Sequence, residues 1–420
     1  MKFVLASYGT RGDVEPCVAI GRELARRGHD VRLAVPPDLV GFVEAAGLAA
    51  TAYGTDTRTW LDAHRNFFRC LLGSFWKIRD VARLLREVAE PTNQCWAQMN
   101  APLVSLTEGA DLLIAGNFEE AAANVAEYHG IPLATVHFFP MRVNGQLLPV
   151  VPPTLTRLAM RIYEWLGWRT AKSVRDALRR ELGLPQATCP APRRITERGS
   201  LEIQAYDEVC FPGLAAEWAK FDGQRPFVGA LTLQLPTDTD AEIASWIAAG
   251  SPPIYFGFGS IPVDSPADTL AMIADACAQL GQRALVCAGW SDFGNVPHVG
   301  HVKVVGAANF ATVFPACRAV VHHGGVGTTA ASLRAGVPTL VLWMDPGQAI
   351  WGAAIKRLKV GTARRFSSTT RESLVADLRT VLAPQCAARA REIATRMSTP
   401  TDSAAAAADL VESFARQKIG

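Results

Sequence analysis

The 420-residue chain lacks several features that would place it in a specialised class of protein. Its nine cysteines are an odd number without C-x-x-C spacing, which argues against a disulfide framework and a zinc site and suits a reducing compartment. The net charge is only +3, so the basic surface of a nucleic-acid-binding protein is not expected. No signal-peptide pattern opens the chain, and no apolar run reaches the roughly 18 residues that would span a bilayer. These absences predict a cytoplasmic protein that binds no nucleic acid.

The remaining composition is that of a well-packed protein with more than one domain. Hydrophobic residues make up 49% of the chain and charged residues 19%, which is typical of a globular protein. Its length exceeds what one hydrophobic core usually supports, so two domains are expected. Short apolar runs alternate with helical patterns in two series, which open at Phe3 and Ile254. This alternation predicts an α/β protein with two doubly wound parallel sheets, each covered by helices on both faces.

The break between the two series sets the predicted domain boundaries. The stretch 232–253 contains Leu-Pro-Thr-Asp-Thr-Asp and Gly-Ser-Pro-Pro, which are typical of a linker. We therefore predict an N-terminal domain over 1–232, a linker over 233–253, a C-terminal domain over 254–400 and a terminal helix over 401–420. Ligands bind beyond the carboxyl ends of the strands in such sheets, so two domains facing each other would place their loops in one cleft.

Two glycine-rich turns occupy the positions where such loops are expected. Residues 319–329 form a short apolar run, the turn His-His-Gly-Gly and a helix start, where backbone N–H groups and the helix dipole favour a phosphate. Residues 2–16 form a second apolar run that ends in a turn with acidic side chains, including Asp13. This turn has neither a dinucleotide fingerprint nor a P-loop ending. The first turn along the chain thus indicates chemistry, and the second indicates phosphate binding.

Four motifs follow one another in a characteristic order, at residues 9–16, 256–260, 289–290 and 322–329. Together they resemble the signature of bacterial GT-B glycosyltransferases, in the branch that glycosylates glycopeptide antibiotics, sterols and mycobacterial glycopeptidolipids. The run 201–208 is most similar to the glycopeptidolipid-modifying members. The resemblance spans nearly the whole chain. It implies the GT-B fold, a nucleotide-sugar donor on the C-terminal domain, an acceptor on the N-terminal domain, and inversion of the anomeric centre without a metal or other cofactor.

The resemblance also implies roles for individual residues. Asp13 matches the general base, because a weakly acidic hydroxyl needs a carboxylate to take its proton; the alternative is that Asp13 caps a helix that begins near Pro16. His322 is favoured over His323 for phosphate, because adjacent residues leaving a strand point opposite ways. The residues predicted to line the acceptor pocket are His137, Phe138 and Phe139. Those predicted to contact the nucleotide sugar are Thr10, Arg11, Gly12, Ser260, Trp290, His322, Gly324, Gly325, Gly327, Thr328, Thr329, Asp345 and Gln348.

The segment after the phosphate turn departs from the family pattern. Many members carry an acidic residue beside a glutamine there, and both hydrogen-bond sugar hydroxyls. Here Gln348 keeps the glutamine position, Gly347 replaces the acid, and Asp345 lies two residues earlier. A site that has lost a polar contact fits a 6-deoxyhexose, such as rhamnose or 6-deoxytalose, better than glucose. The sequence therefore predicts transfer from a dTDP-sugar to a hydrophobic acceptor, namely a lipopeptide.

Other functions stay open at this point. One is a UDP-glucose-dependent sterol or natural-product glucosyltransferase; another is a sugar-nucleotide 2-epimerase, which shares the two-domain cleft. The stretch 67–90 interleaves apolar and basic residues. Such a pattern fits either a helix packed on the core or a helix at a membrane surface. The second alternative would place the protein peripherally at the inner face of the plasma membrane.

Overall fold

The computed structural model describes most of the chain. The described ranges are 1–59, 61, 78–148, 151–221, 223–259, 263, 265–289, 291 and 300–419, without the side chains of 78–90 and 419. Two predicted donor contacts, Ser260 and Trp290, lie outside these ranges. The stretch 67–90, with its membrane-surface alternative, likewise lies outside the description, because neither residues 67–77 nor the side chains of 78–90 are described.

The first half of the chain builds a six-stranded sheet. Its strands are β1 (Lys2–Ala6), β2 (Asp30–Val35), β3 (Ala49–Ala52), β4 (Leu112–Ala115), β5 (Leu133–His137) and β6 (Leu201–Gln204). Its helices are α1 (Arg11–Arg26), α2 (Val40–Ala45), α3 (Ile78–Thr107), α4 (Glu119–His129), α5 (Pro153–Thr170), α6 (Lys172–Glu181), α7 (Ala191–Glu197) and α8 (Leu214–Trp218).

The second half builds another sheet of the same size. Its strands are β7 (Ile254–Gly257), β8 (Ala284–Cys287), β9 (Val302–Val305), β10 (Ala319–His322), β11 (Thr339–Trp343) and β12 (Gly361–Arg365). The helices of this half are α9 (Asp240–Ala248), α10 (Pro266–Gln279), α11 (Phe310–Val313), α12 (Val326–Arg334), α13 (Pro346–Leu358), α14 (Arg371–Val381) and α15 (Pro384–Ala394); α16 (Pro400–Ile419) ends the chain.

The two sheets have the same topology. The strand orders are β3-β2-β1-β4-β5-β6 and β12-β11-β10-β7-β8-β9, and every pairing is parallel. Counted from its own first strand, each sheet has the order 3-2-1-4-5-6 of doubly wound nucleotide-binding folds. The order reverses between β1 and β4 in one sheet and between β7 and β10 in the other. The predicted α/β class with two doubly wound parallel sheets is confirmed.

The strands have the composition that a parallel sheet requires. β4 reads Leu-Leu-Ile-Ala and β10 reads Ala-Val-Val-His, and all residues of both strands are buried. Continuous apolar runs of this kind are expected where helices cover both faces of a sheet. The described cysteines are all free. Among the described helices, none combines the length and the apolar character that crossing a membrane requires.

The chain divides into two compact units. The first comprises Met1–Tyr206, Gly213–Leu233 and Pro400–Gly420, and the second comprises Asp207–Pro212 and Gln234–Thr399. The terminal helix therefore belongs to the first unit. Its residues Ala407, Ala408, Val411 and Ala415 are completely buried in that unit's core, and Arg27, which follows α1, pairs with Asp409 at 2.6 Å.

Candidate functional site

The acidic N-terminal turn is the start of helix α1. The helix begins at Arg11 and contains Pro16, whereas the sequence pattern predicted a start near Pro16. The earlier start has a clear cause: the Oδ2 atom of Asp13 accepts hydrogen bonds from Thr10 N at 2.6 Å and Thr10 Oγ1 at 2.9 Å. A carboxylate at this position satisfies a backbone donor that the helix itself leaves free. Thr10 is the N-cap, so Asp13 is not the cap ahead of Pro16 that the alternative expected; from the first turn it closes the capping box with one carboxylate oxygen, and its other oxygen contacts another partner.

That second oxygen is held from the neighbouring strand. Asn117 donates from Nδ2 to Asp13 Oδ1 at 2.7 Å. Asn117 follows β4, which pairs with β1, so the contact lies at the point where the strand order reverses. Gly9 makes room for the arrangement: its φ is +133°, and a Cβ there would lie 2.4 Å from Asp13 Oδ2. Sequence reasoning missed Asn117, although a polar residue one position beyond the glycine that follows a buried strand was an available signal.

The loop that carries Asn117 is tightly fixed. Phe118 has a φ of 64°, in the left-handed region that non-glycine residues rarely adopt. Such a conformation persists only where surrounding contacts determine it. On one side, a Cβ at Gly116 would lie 2.3 Å from Ser7 Oγ. On the other, Glu119 is anchored by Arg142 Nη2 at 2.9 Å. The position of Asn117 relative to Asp13 is therefore set by the core of the unit.

His137 lies in a buried polar network rather than on a surface. Its Nε2 donates to Glu119 Oε1 at 2.8 Å, and its Nδ1 accepts from Gln204 Nε2 at 3.2 Å. Burial and the nearby Arg142 lower the pKa of His137, so the ring is neutral. Burial also acts to raise the pKa of Glu119, but Arg142 and His137 outweigh it and lower that pKa to about 2. Because His137 has no exposed surface, it could contact an acceptor only if this network opened.

The other predicted residues of this unit are more accessible. Phe138 and Phe139 follow β5, are half-buried, and have ring centroids 5.5 Å apart. Their role in an acceptor pocket stays a prediction. Arg11 and Gly12 are exposed in the first turn of α1, and Arg11 Nε lies 3.4 Å from Glu15 Oε2.

The phosphate turn joins β10 to α12 in the second unit. Gly325 caps α12, so the backbone N–H groups of Gly327 and Thr328 lie in the first turn of the helix. Gly324 has a φ of +100°, and a Cβ there would lie 2.9 Å from the carbonyl oxygen of Gln348. The Thr329 hydroxyl donates to the Gly325 carbonyl oxygen at 2.8 Å and is therefore engaged within the helix. Backbone donors thus lie where the sequence predicts an anion site, and the binding of an anion there stays a prediction; Thr329 stabilises the turn itself.

The two histidines have different surroundings. His322 ends β10, is completely buried, and accepts at Nδ1 from Gly324 N at 2.9 Å. Its proton therefore lies on Nε2, which has no hydrogen-bond partner among the described residues. The His323 ring packs instead against the glycines of two turns. A Cβ at Gly259 would lie 2.4 Å from the ring, and a Cβ at Gly325 would lie 2.5 Å from it. Burial lowers the pKa of His322 well below its usual range and that of His323 to about 4. Both rings are neutral at pH 7.

Asp345 and Gln348 stabilise the start of helix α13. Asp345 caps the helix, with Oδ1 accepting from Gln348 N at 3.0 Å, and Gln348 Oε1 accepts from Met344 N at 2.7 Å. Burial raises the pKa of Asp345. Because Oε1 already accepts from the backbone, a contact of Gln348 with a sugar hydroxyl would rest mainly on its Nε2 group. The role of both side chains in donor binding stays a prediction, as does the absence of a metal from the reaction.

Relatives of this chain are glycosyltransferases. Residues 3–145 match the glycosyltransferase family 28 N-terminal domain, and residues 272–413 match the erythromycin biosynthesis protein CIII-like C-terminal domain. The glycosyltransferase Rv1524 of Mycobacterium tuberculosis is 59% identical over 99% of this chain and 100% of its own. A sterol 3-beta-glucosyltransferase of Arabidopsis thaliana is 29% identical over 97% of this chain and 67% of its own. The chain belongs to the family 28 and EryCIII-like glycosyltransferases.

Solved structures agree on the fold. The glycotransferase of kitacinnamycin superposes with a TM-score of 0.72 at 18% identity, covering 99% of both chains. The glycosyltransferase VinC, solved in complex with dTDP, gives 0.66 at 19% identity over 99% of this chain and 100% of its own. The fold is that of GT-B glycosyltransferases, and the protein is an enzyme of this type. The predicted glycosyltransferase family and enzyme class are confirmed, and they favour a transferase over the epimerase alternative; the glycopeptidolipid branch stays a prediction.

Replacing Asn117 tests whether it positions Asp13. Asn117→Ala removes a hydrogen bond to a carboxylate, and we expect kcat to fall by about ten- to a hundredfold with the donor KM little changed. Steady-state kinetics with saturating acceptor measures this. Asn309→Ala is the matched control, because it removes an asparagine that caps a helix in the second unit. Full activity of Asn117→Ala would mean that Asp13 needs no support from this side chain.

The depressed pKa of His323 predicts an acid-sensitive stability. The unfolded chain takes up this proton near pH 6.5, but the folded protein does so only near pH 4. The unfolded state thus binds more protons in this window, so the free energy of unfolding falls as the pH falls. Replacing the ring in His323→Phe should reduce this slope by about 1 kcal/mol per pH unit between pH 6 and 4.5. Urea denaturation at several pH values measures it; equal slopes for both proteins would contradict the assignment.

Proposed function

We propose that this glycosyltransferase transfers a 6-deoxyhexose from a dTDP-linked donor to a hydroxyl of a hydrophobic acceptor, with inversion and without a metal. The observation that supports the reaction class is that hydrogen bonds fix both oxygens of the Asp13 carboxylate. One oxygen of its carboxylate accepts from Thr10 and the other from Asn117, at the reversal point of the first sheet. Ligands of such sheets bind beyond that point.

A carboxylate in this position can take the proton that the acceptor hydroxyl does not lose unaided. The acceptor hydroxyl oxygen forms a bond to the anomeric carbon while the bond from that carbon to the diphosphate oxygen breaks. The hydroxyl proton passes to the Asp13 carboxylate, and the nucleoside diphosphate departs with the bonding electron pair. Because this is a single displacement, the anomeric configuration inverts. The hydrogen bonds from Thr10 and Asn117 hold the base in one orientation.

The second unit supplies groups suited to the leaving diphosphate. The backbone N–H groups at the start of α12 and the buried Nε2–H of His322 are donors fixed before the reaction. Fixed donors stabilise charge that develops in the transition state without reorganisation. Since His322 is neutral, it acts as a hydrogen-bond donor rather than as a cation. The proposed mechanism therefore assigns no step to a metal ion.

Four observations support a dTDP-linked deoxysugar as the donor. VinC was solved with dTDP, and the spinosyn rhamnosyltransferase SpnG superposes with a TM-score of 0.66 at 17% identity over 98% of this chain and 100% of its own. Gly347 occupies the position of an acidic sugar contact. The nearby Asp345 carboxylate is engaged in capping α13, which limits its capacity to replace that contact.

The acceptor we propose is a lipopeptide of the glycopeptidolipid type. The mycobacterial origin of Rv1524 supports this choice, and so does the sequence similarity in the run 201–208. A UDP-glucose-dependent sterol glucosyltransferase is the second candidate. The observation that favours it is the similarity to the Arabidopsis sterol 3-beta-glucosyltransferase.

Asp13→Asn tests the assignment of the base. The amide keeps an oxygen that can cap α1 but cannot take a proton, so we expect kcat to fall by about a thousandfold. The Kd for dTDP, measured by calorimetry, should change less than about twofold, because the proposed phosphate donors belong to the second unit. Asp30→Asn, at the exposed start of β2, is the control. Substantial turnover by Asp13→Asn would remove Asp13 from this role, and inhibition of the wild type by EDTA would contradict the metal-free proposal.

A donor panel tests the proposed sugar. With one acceptor, we expect kcat/KM for dTDP-rhamnose or dTDP-6-deoxytalose to exceed that for UDP-glucose by at least about tenfold, because discrimination rests on polar contacts to hydroxyls. Restoring an acid in Gly347→Asp should lower the ratio of kcat/KM for the deoxyhexose donor to that for UDP-glucose. A Cβ at this position would lie 3.2 Å from Asp345 Oδ1, which is a tight but local contact. Equal turnover of deoxyhexose and glucose donors would refute the inference from Gly347. Preference for UDP-glucose with a sterol acceptor would establish the second candidate.

A further inference from the structure

Helix α5 presents its large apolar side chains to solvent. Among the described residues, nine large hydrophobic side chains are exposed, and six of them lie on this one helix. They are Leu155, Leu158, Ile162, Tyr163, Trp165 and Leu166. The first three and Trp165 are spaced by three or four residues, so they form one stripe along the helix. A continuous apolar face of this kind on a protein surface marks an interaction site.

The face turned towards the protein is the more polar one. Thr156 is completely buried, and Arg157 Nε lies 2.7 Å from Glu217 Oε1. Glu164 also points inward, where burial raises its pKa. A helix on the surface of a globular protein normally buries its apolar stripe and exposes its polar one. In α5 most of the large apolar side chains face outward instead, although Met160 and Trp168 are partly buried, so the outward face offers an apolar surface to a partner.

The charges beside the stripe identify the kind of partner. Glu164 is the single acidic residue of α5 and lies on the inward side, so the outward face carries no carboxylate. Arg161 and Arg169 are exposed beside the apolar stripe. Tyr163 and Trp165 have relative exposures of 82% and 52%. Leucine, isoleucine, tryptophan and tyrosine flanked by arginine are typical of helices that lie in the headgroup region of anionic membranes.

We propose that the outward face of α5 lies on the surface of an anionic lipid bilayer, with the helix axis in the membrane plane. The helix is about 27 Å long, so its apolar stripe offers several side chains for shallow insertion. Arg161 and Arg169 contact the lipid phosphates. This inference rests on the proposed function in one respect: a lipid-linked acceptor would lie in the same bilayer that α5 contacts. Vesicle binding is measured without donor or acceptor, so its failure is distinguishable from failure of the transferase proposal.

Co-flotation of the full-length protein with vesicles tests the proposal. We expect binding to vesicles of equal parts phosphatidylcholine and phosphatidylglycerol, weaker binding to phosphatidylcholine alone, and a decrease with added salt. The double substitution Leu158→Ser with Trp165→Ser should weaken the partition at least about tenfold. Arg161→Gln and Arg169→Gln should each weaken it by about fivefold.

Two matched controls come from the same unit. Tyr128→Ser changes an aromatic residue of α4 with 49% exposure, close to that of Trp165, and Arg180→Gln changes an exposed cation of α6. Both should bind vesicles like the wild type. Absence of wild-type binding, or equal binding by the Leu158 and Trp165 double variant, would overturn the proposal. A dimer that the double variant dissociates, without vesicle binding, would also overturn it and assign the face to a second copy of the chain. Unchanged far-ultraviolet circular dichroism and an unchanged urea midpoint would confirm that the variants are folded.

Discussion

In each of the two sheets, the direction in which strands are added reverses between two neighbouring parallel strands. The connections that leave those strands must run to opposite sides, so the space beyond their carboxyl ends is not filled by a crossover helix. Every residue that we assign to the chemistry lies at such a point. Asp13 and Asn117 follow β1 and β4, and the turn from His322 to Thr329 follows β10, next to β7. The other features of the sites serve to keep these loops in place.

Glycines and buried charges share that task. Gly9 and Gly324 adopt positive φ values where a Cβ would collide with Asp13 and with Gln348. Below the Asn117 loop, Glu119 binds both His137 and Arg142, and Arg142 also contacts Glu202. Buried ions are tolerated only when they are paired in good geometry. The network therefore gives the loop a single conformation, which an isolated surface salt bridge could not do.

The sequence was informative where a function depends on consecutive residues. The turn that carries Asp13, the turn that carries His322, and the two parallel sheets all have local signatures, and the structure contains both turns and both sheets. It was uninformative where a contact joins distant segments. Asn117 is 104 positions from Asp13 and becomes a partner only because β4 pairs with β1. The start of α1 was misplaced because Pro16 was read as a first-turn residue, although the Thr10–Asp13 contacts extend the helix to Arg11.

The orientation of α5 shows why a helical pattern alone does not reveal which face is buried. Its apolar stripe would predict burial in the core, but its polar contacts determine the orientation instead. Glu217 accepts from Gly145 N at 2.9 Å and from Arg157 Nε at 2.7 Å, and it is largely buried. Burial acts to raise the pKa of Glu217, yet Arg157 and these hydrogen bonds lower it. Turning the helix over would leave this largely buried carboxylate without its cation, which is unfavourable. The inward ion pair thus keeps the apolar stripe on the outside, where the proposed lipid bilayer would cover it.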